Sequence, residues 1–317
     1  MAATETENTT NDHKENDMIE EMVARWASDS VHELGRVDCR VTNDGHEVLV
    51  IHDVFTQAEL DEWLQLSRTI KYDRAHVDRA VRHCERCVFS SPTLAGLMWS
   101  RCRDAVSEHS GLLQHTITKE DSGNFGMGSD GQWDASDLNT LFRLCRYPTG
   151  GHFAPHTDSS YLESTERRSL LTFMAYLTQD FQGGCTEFLK PESQLTVDPA
   201  SAELRYHCRQ EDVEWRLQPA AGSVVVFLQC CVLHSGQPVL EADDEATPSE
   251  DPLFPKHILR TDVMFNRKQG TAEQLTKRQL LAREALLEAQ QLEADGEQER
   301  AITAYQRAMR LDPELRI

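Results

Sequence analysis

The sequence predicts an α+β protein: helices first, then a β-rich centre of the sandwich or jelly-roll kind, then a helical hairpin. Two observations carry this reading. From about Leu141 the chain breaks into short apolar runs separated by turn residues: LFRLCRYP, SLLTFMAYLT, CTEFL, ELRYHC, VEWRL, SVVVFL and HILRTDVMF. Several short strands in succession suit a sandwich or barrel. On either side of them the apolar residues fall at helical spacing instead.

Taken in order, residues 1–17 are polar, acidic and aperiodic, the composition of a disordered tail. Met18 to Leu34 has helical spacing, with Met22 and Trp26 on the apolar stripe. Glu47 to Phe55 is a short β-rich run. Thr56 with Glu59 three residues on is a capping-box pattern opening the helix TQAELDEWLQLS. Ser90 to Val106 predicts a second amphipathic helix with Pro92 in its first turn. Asp121 to Asp137 is rich in Gly, Asp and Ser and reads as a mobile loop. QGG before CTEFL and PAAGS before VVVFL are turn signals. Val239 to Pro255 is acidic and Pro-containing, the composition of a loop inserted between two strands. Thr271 to Ile317 is rich in Ala, Glu, Leu, Gln and Arg and predicts two helices around Asp295 and Gly296.

The formal net charge is -21, from 32 Lys+Arg against 53 Asp+Glu. Nucleic acid is therefore not an expected partner, although Arg74, Arg79, Arg82 and Arg86 form a local basic stretch. No apolar run is long enough to span a bilayer, and the N-terminus lacks the apolar core of a secretory signal, so a cytoplasmic or nuclear location is expected, without a membrane. The nine cysteines form no regular framework, which favours reduced thiols. Cys84 and Cys87 form a CxxC with no second half at zinc-site spacing, so free thiols are favoured there too. Cys230 and Cys231 are read as strand packing.

The chemistry concentrates in YPTGGHFAPHTDSS, Tyr147 to Ser160. On a strand, residues i and i+2 share a face, so His156 and Asp158 converge. A third donor follows in GSVVVFLQCCVLHSGQPV, where a Val/Phe strand runs into His234. Two His and one carboxylate on one face of a metal form the facial triad of non-haem Fe(II) oxygenases. HxD alone is a weak signal. HxD in a β region, followed by GG-x-T-x-F and then by an apolar strand ending in H-S-G, is far more specific. A hydrolytic zinc site is the alternative, disfavoured because no evident general base sits beside the donors.

With those motifs in place, Leu138 to Phe265 resembles the catalytic domain of prolyl-4-hydroxylase-type 2-oxoglutarate- and Fe(II)-dependent oxygenases, and VLVIHDVFTQAELDEWL resembles that family's entry strand and helix. The resemblance implies a double-stranded β-helix core at about 138–266 within an oxygenase domain spanning 18–269. It implies Fe(II) on His156, Asp158 and His234, 2-oxoglutarate as cosubstrate, and ascorbate as a further cofactor. Tyr147 matches a tyrosine lining the cosubstrate pocket, and Tyr176 matches the one that holds the distal carboxylate. A desolvated carboxylate also needs a cation, and KHILRTDVMF offers Lys256 and Arg260 on one strand face. Position along the strand favours Lys256; the bidentate fork of a guanidinium favours Arg260.

The implied reaction is hydroxylation of a C–H bond with release of succinate and CO2. A prolyl residue of a peptide or protein is the first substrate choice. A small-molecule substrate of the same superfamily chemistry and a non-catalytic jelly-roll scaffold are the alternatives. The last segment, 270–317, ends in AITAYQRAMRLDPEL, which resembles the second helix of one tetratricopeptide repeat. No second copy is present. A hairpin capping the main domain is favoured over a site for a protein partner, because repeats must stack to build a groove.

Overall fold

The computed structural model of the chain describes residues 16–26, 32–118, 121–125, 128–197, 205–240, 253–272, 276–294 and 297–313. Most of the expected N-terminal tail, residues 241–252 of the acidic insertion and the turn at Asp295 and Gly296 lie outside them. Helix α1 (16–26) buries Ile19, Met22, Val23 and Trp26 along one stripe, as a 3.6-residue period dictates. Strands β1 (Val37–Val41) and β2 (Glu47–Ile51) pair antiparallel. Helix α2 (Gln57–Ser67) begins at the expected capping box: the Glu59 N–H donates to the Thr56 hydroxyl at 3.2 Å, and the Thr56 N–H donates to the Glu59 carboxylate at 2.8 Å. Strands β3 (Asp73–Arg74) and β4 (Glu85–Ser90) lead to α3 (Pro92–His109), which Ser91 caps and Pro92 opens.

The Asp121–Asp137 stretch is not the loop its composition suggests. It holds a helical turn, α4 (Ser122–Phe125), and strand β6 (Gly131–Leu138), whose first half pairs with β5 (Gln114–Ile117). Trp133 is the reason. Its ring is fully buried, its indole N–H donates to the Ser129 carbonyl at 2.7 Å, and the Arg267 guanidinium lies 4.7 Å from the ring. One buried tryptophan outweighs a run of small polar neighbours.

The strands that follow are β7 (Leu141–Tyr147), β8 (Phe153–His156), β9 (Leu162–Ser164), β10 (Arg167–Tyr176), β11 (Gln182–Gly183), β12 (Thr186–Leu189), β13 (Thr196–Val197), β14 (Tyr206–His207), β15 (Val213–Leu217), β16 (Val224–Leu228), β17 (His234–Gly236), β18 (Val239–Leu240) and β19 (Lys256–Arg267). A large antiparallel sheet runs in the order β1-β2-β16-β10-β19-β7-β4-β3, and a smaller one in the order β15-β12-β17-β8. The two face each other across Phe188 and Phe227, whose rings meet edge-on at 5.7 Å. The protein is thus α+β with a jelly-roll core. Behind the large sheet, Trp26, Trp63, Phe89 and Phe142 form a continuous aromatic layer with centroid spacings of 5.6 to 6.0 Å, which seats α1 and α2 on β4 and β7.

The chain divides into two compact units. The first, Met1–Leu113, Ala135–Tyr161 and Ser169–Phe265, contains the smaller sheet, most of the large one and every candidate site residue. The second, Gln114–Asp134, Leu162–Arg168 and Asn266–Ile317, contains the β5–β6 pairing and the helices α5 (Lys277–Ala294) and α6 (Gln298–Leu311). Those helices pack on each other through Ala285, Leu286 and Ala308, with Tyr305 alongside. Among the described residues no helix is long and apolar enough to cross a membrane.

Candidate active site

His156 ends β8 and His234 opens β17, and the two are direct register partners. Asp158 follows two residues after His156. The structure brings the three together: one donor atom from each lies within 4.8 Å of the others. The Nε2 atoms of His156 and His234 each stand 3.7 Å from an Asp158 carboxylate oxygen, one from Oδ1 and the other from Oδ2.

Backbone geometry sets the tautomers. His156 Nδ1 lies 2.7 Å from the Ala154 carbonyl, and His234 Nδ1 lies 3.0 Å from the Val232 carbonyl. A carbonyl oxygen only accepts, so both Nδ1 atoms carry the proton and both Nε2 lone pairs face Asp158. Burial, and then the neighbouring His156, push His234 down to about 4, which keeps its imidazole neutral and able to ligate. Burial pushes the Asp158 carboxyl up, but the Arg260 guanidinium is the largest opposing influence, and the carboxyl is held well below the usual range. Two neutral imidazoles and an ionised carboxylate on one side are the donor set that Fe(II) takes.

Asp158 is itself fixed. The Thr172 hydroxyl, on β10, donates to its Oδ2 at 2.5 Å, and Arg260 forms an ion pair with its Oδ1 at 3.0 Å. Its backbone carbonyl accepts from the Cys230 N–H at 2.8 Å. Cys230 has φ of 60° and sits in the turn between β16 and β17. The Cys230–Cys231 pair is therefore a turn and not strand packing, and the turn holds the metal-site carboxylate in place.

The structure separates the two basic residues of β19. Arg260 is engaged with Asp158. Lys256 lies two rungs away, 3% exposed, directly opposite Tyr147 in the β7–β19 register. Its Nζ donates to the Gly184 carbonyl at 2.7 Å and lies 4.9 Å from the Tyr147 ring centroid. That carbonyl takes one of three ammonium donors. Gly184 has φ of 61°, and a Cβ there would meet the Phe181 ring at 2.7 Å and the Lys256 Cδ at 3.3 Å; the QGG motif clears room for the lysine stem. The Tyr176 hydroxyl lies 2.7 Å from the Thr186 hydroxyl. Burial pushes both Tyr147 and Tyr176 up, so both phenols stay protonated donors. A buried ammonium with the Tyr147 ring beside it is the polar surface a dicarboxylate's far end requires.

Several residues here were not assigned to the site from the sequence. Thr172 and Asp262 are polar positions inside otherwise apolar strands, and that interruption was the available signal. Asp262 accepts from the Gln229 amide at 2.7 Å and lies 3.4 Å from both Arg143 and Arg260. Arg82 lies 4.3 Å over the Phe153 ring, which stacks at 3.6 Å on His156, and its guanidinium donates to the Cys84 and Cys145 sulfurs at 3.1 and 3.3 Å. Neither Cys84 nor Cys87 is in a disulfide. The metal-competent group found among the described residues is His156, Asp158 and His234, with neither cysteine in it.

Residues 142–245 match the family model described as the 2OG-Fe(II) oxygenase superfamily. No curated protein matches the chain. Similar solved structures include the 2OG complex of a viral collagen prolyl hydroxylase from Paramecium Bursaria Chlorella virus-1, at 13% identity, covering 69% of this chain and 96% of that one with a TM-score of 0.37. A Pseudomonas putida prolyl-4-hydroxylase is 15% identical over 78% of this chain and 98% of its own, with a TM-score of 0.37. HygX from Streptomyces hygroscopicus, with nickel and 2-oxoglutarate bound, is 13% identical over 71% and 84%, also with a TM-score of 0.37.

Proposed function

Residues 142–245 make this chain a member of the 2OG-Fe(II) oxygenase superfamily, and from that premise we propose that it hydroxylates a prolyl residue of a peptide or protein. The enzyme is a 2-oxoglutarate-dependent Fe(II) oxygenase. When bound, the iron would let O2 act as the oxidant, one oxygen atom converting 2-oxoglutarate to succinate and CO2 and the other turning a substrate C–H into C–OH.

The chain's own residues do the rest. His156, His234 and Asp158 would hold the metal, and the observation that carries this reading is the pair of Nδ1-to-carbonyl locks that aim both Nε2 atoms at Asp158. Three protein donors leave positions open for cosubstrate and oxygen. Thr172 and Arg260 would keep Asp158 from turning away. Lys256, with Tyr147 beside it, would take the distal carboxylate in a site closed to water. The choice of proline is supported by the resemblance of residues 47–265 to the prolyl-4-hydroxylase-type catalytic domain.

The test begins anaerobically. Fe(II) and 2-oxoglutarate added to metal-free protein are expected to give a visible charge-transfer band, and admitted oxygen is expected to give succinate. His234→Ala should lose both, and Asp158→Ala should lose turnover. Full activity in the Asp158 variant would end the assignment. Proline peptides are then expected to raise succinate release above the substrate-free rate, with a mass gain of one oxygen on the peptide.

A further inference from the structure

Building on that reading, we propose that the substrate carries a carboxylate, held by Arg86 and Arg143 beside the metal, as an acidic residue flanking the reacting proline would be.

Three adjacent strands set the placement. Arg260 on β19 pairs with Arg143 on β7, which pairs with Val88 on β4. One rung along, Ile258 pairs with Cys145, which pairs with Arg86. Residues paired directly, and those two apart, share a face. Arg260 touches the metal-site carboxylate Asp158, so this is the face that looks toward the metal. The opposite face of β4 is closed, since Cys87 and Phe89 are buried and Phe89 lies against Trp63. On the metal side, by contrast, Val88 is 48% exposed and Arg86 is half-buried. The face therefore offers an apolar spot flanked by guanidiniums, open to solvent and on the same sheet face as Arg260, which reaches Asp158.

With Asp158 given to the metal, the charges on it do not balance. Arg143 stands opposite Arg260, and like charges directly opposite on a sheet repel. Three guanidiniums (Arg86, Arg143, Arg260) face three carboxylates: Asp158, Asp262 and, at the exposed edge opposite Arg86, Asp73. Asp158 is a metal donor in the reading above, and Asp262 is already shared among Gln229, Arg143 and Arg260. Arg86 makes no ion pair among the described residues; its cross-strand neighbour Asp73 is exposed. In a chain of net charge -21, a cluster of cations at the mouth of the site has a use if an anion arrives with the substrate. A carboxylate there would meet planar donors suited to it. Val88 would lie against an apolar ring beside it.

The source of the carboxylate is an acidic peptide residue or a small organic acid, and the experiment separates them. Succinate release by the Fe(II)-loaded full chain is measured on matched proline peptides with Glu, Gln or Lys beside the proline. The Glu set is expected to exceed the Gln set in kcat/KM by about tenfold, the scale of a charge-assisted hydrogen bond. Arg86→Gln should erase that preference, and Arg86→Glu should turn it toward the Lys set. Thermal melting checks that each variant is folded. Equal rates on the Glu and Gln sets, or a preference that survives in both variants, overturns the proposal. If no peptide raises turnover, the prolyl reading fails, and small carboxylic acids are compared with their amides in the same assay. Stimulation by acids and not by amides upholds the carboxylate requirement; no stimulation by any acid overturns it.

Discussion

Lys256 couples the fold to the cosubstrate with opposite signs. Burial pushes its ammonium down to about 8, whereas an unfolded lysine titrates near about 10.4. Between those values the unfolded chain binds the extra proton, so folding stability gains as pH rises through that window. Below about 8 the burial cost is present in full. Cosubstrate binding runs the other way, because the distal carboxylate needs the ammonium. Calorimetry with Mn(II) in place of iron is expected to give a constant Kd for 2-oxoglutarate from pH 6.5 to about 8, weakening toward about tenfold per unit above it. Lys256→Met should bind weakly with no such break. A wild-type profile flat to pH 9.5 would remove Lys256 from the cosubstrate site and return Arg260 to contention. Arg260 is less suited on geometry, since its guanidinium is already engaged with Asp158 at 3.0 Å.

At the scale of elements, Glu59 ties α2 and α3 together. It completes the α2 capping box and also accepts from Arg101 on α3 through both oxygens, at 2.6 and 3.0 Å, while Arg101 donates to the Val54 carbonyl at 2.9 Å. Burial pushes the Glu59 carboxyl up, but Arg101 and the Thr56 cap reverse the balance and lower it. Its contribution is therefore present above the ordinary glutamate range and lost as pH falls through the lower folded value. Urea unfolding is expected to show Arg101→Met costing about 3 kcal/mol, because it strands a buried carboxylate. Thr56→Ala should cost about 1 kcal/mol. The double variant with Glu59→Met should recover part of the Arg101 loss; a double variant worse than the sum would deny the pairing. The same element shows what a sequence can disclose. Thr56 and Glu59 are three residues apart, so the cap was legible. Arg101 lies on another helix, and nothing local points to it. His156 and Asp158 were legible for the same reason as the cap, and His234 through its strand ending in H-S-G. The Thr172 bond to Asp158 depends on register between distant strands. The β6 strand was hidden because burial of Trp133, a tertiary event, overrides a loop-like composition.

Charge is where the whole molecule acts on the site. The 53 acidic and 32 basic residues give a field that repels anions at a distance, yet the site gathers Lys256, Arg86, Arg143 and Arg260 within one patch of sheet. Ionic strength decides which of the two an arriving dianion feels. The screening length is about 30 Å at 0.01 M salt and about 8 Å at 0.15 M. At low salt 2-oxoglutarate meets the net charge of the protein; near physiological salt it meets the basic patch alone. Stopped-flow growth of the charge-transfer band is therefore expected to give an association rate that rises from 10 mM to 150 mM salt and then levels or falls as the local contacts are screened in turn. A site on a neutral or basic protein would show only the fall. A rate that drops steadily from the lowest salt upward would mean that the local cations dominate the field at every distance, and that the acidic excess lies too far from the entrance to matter.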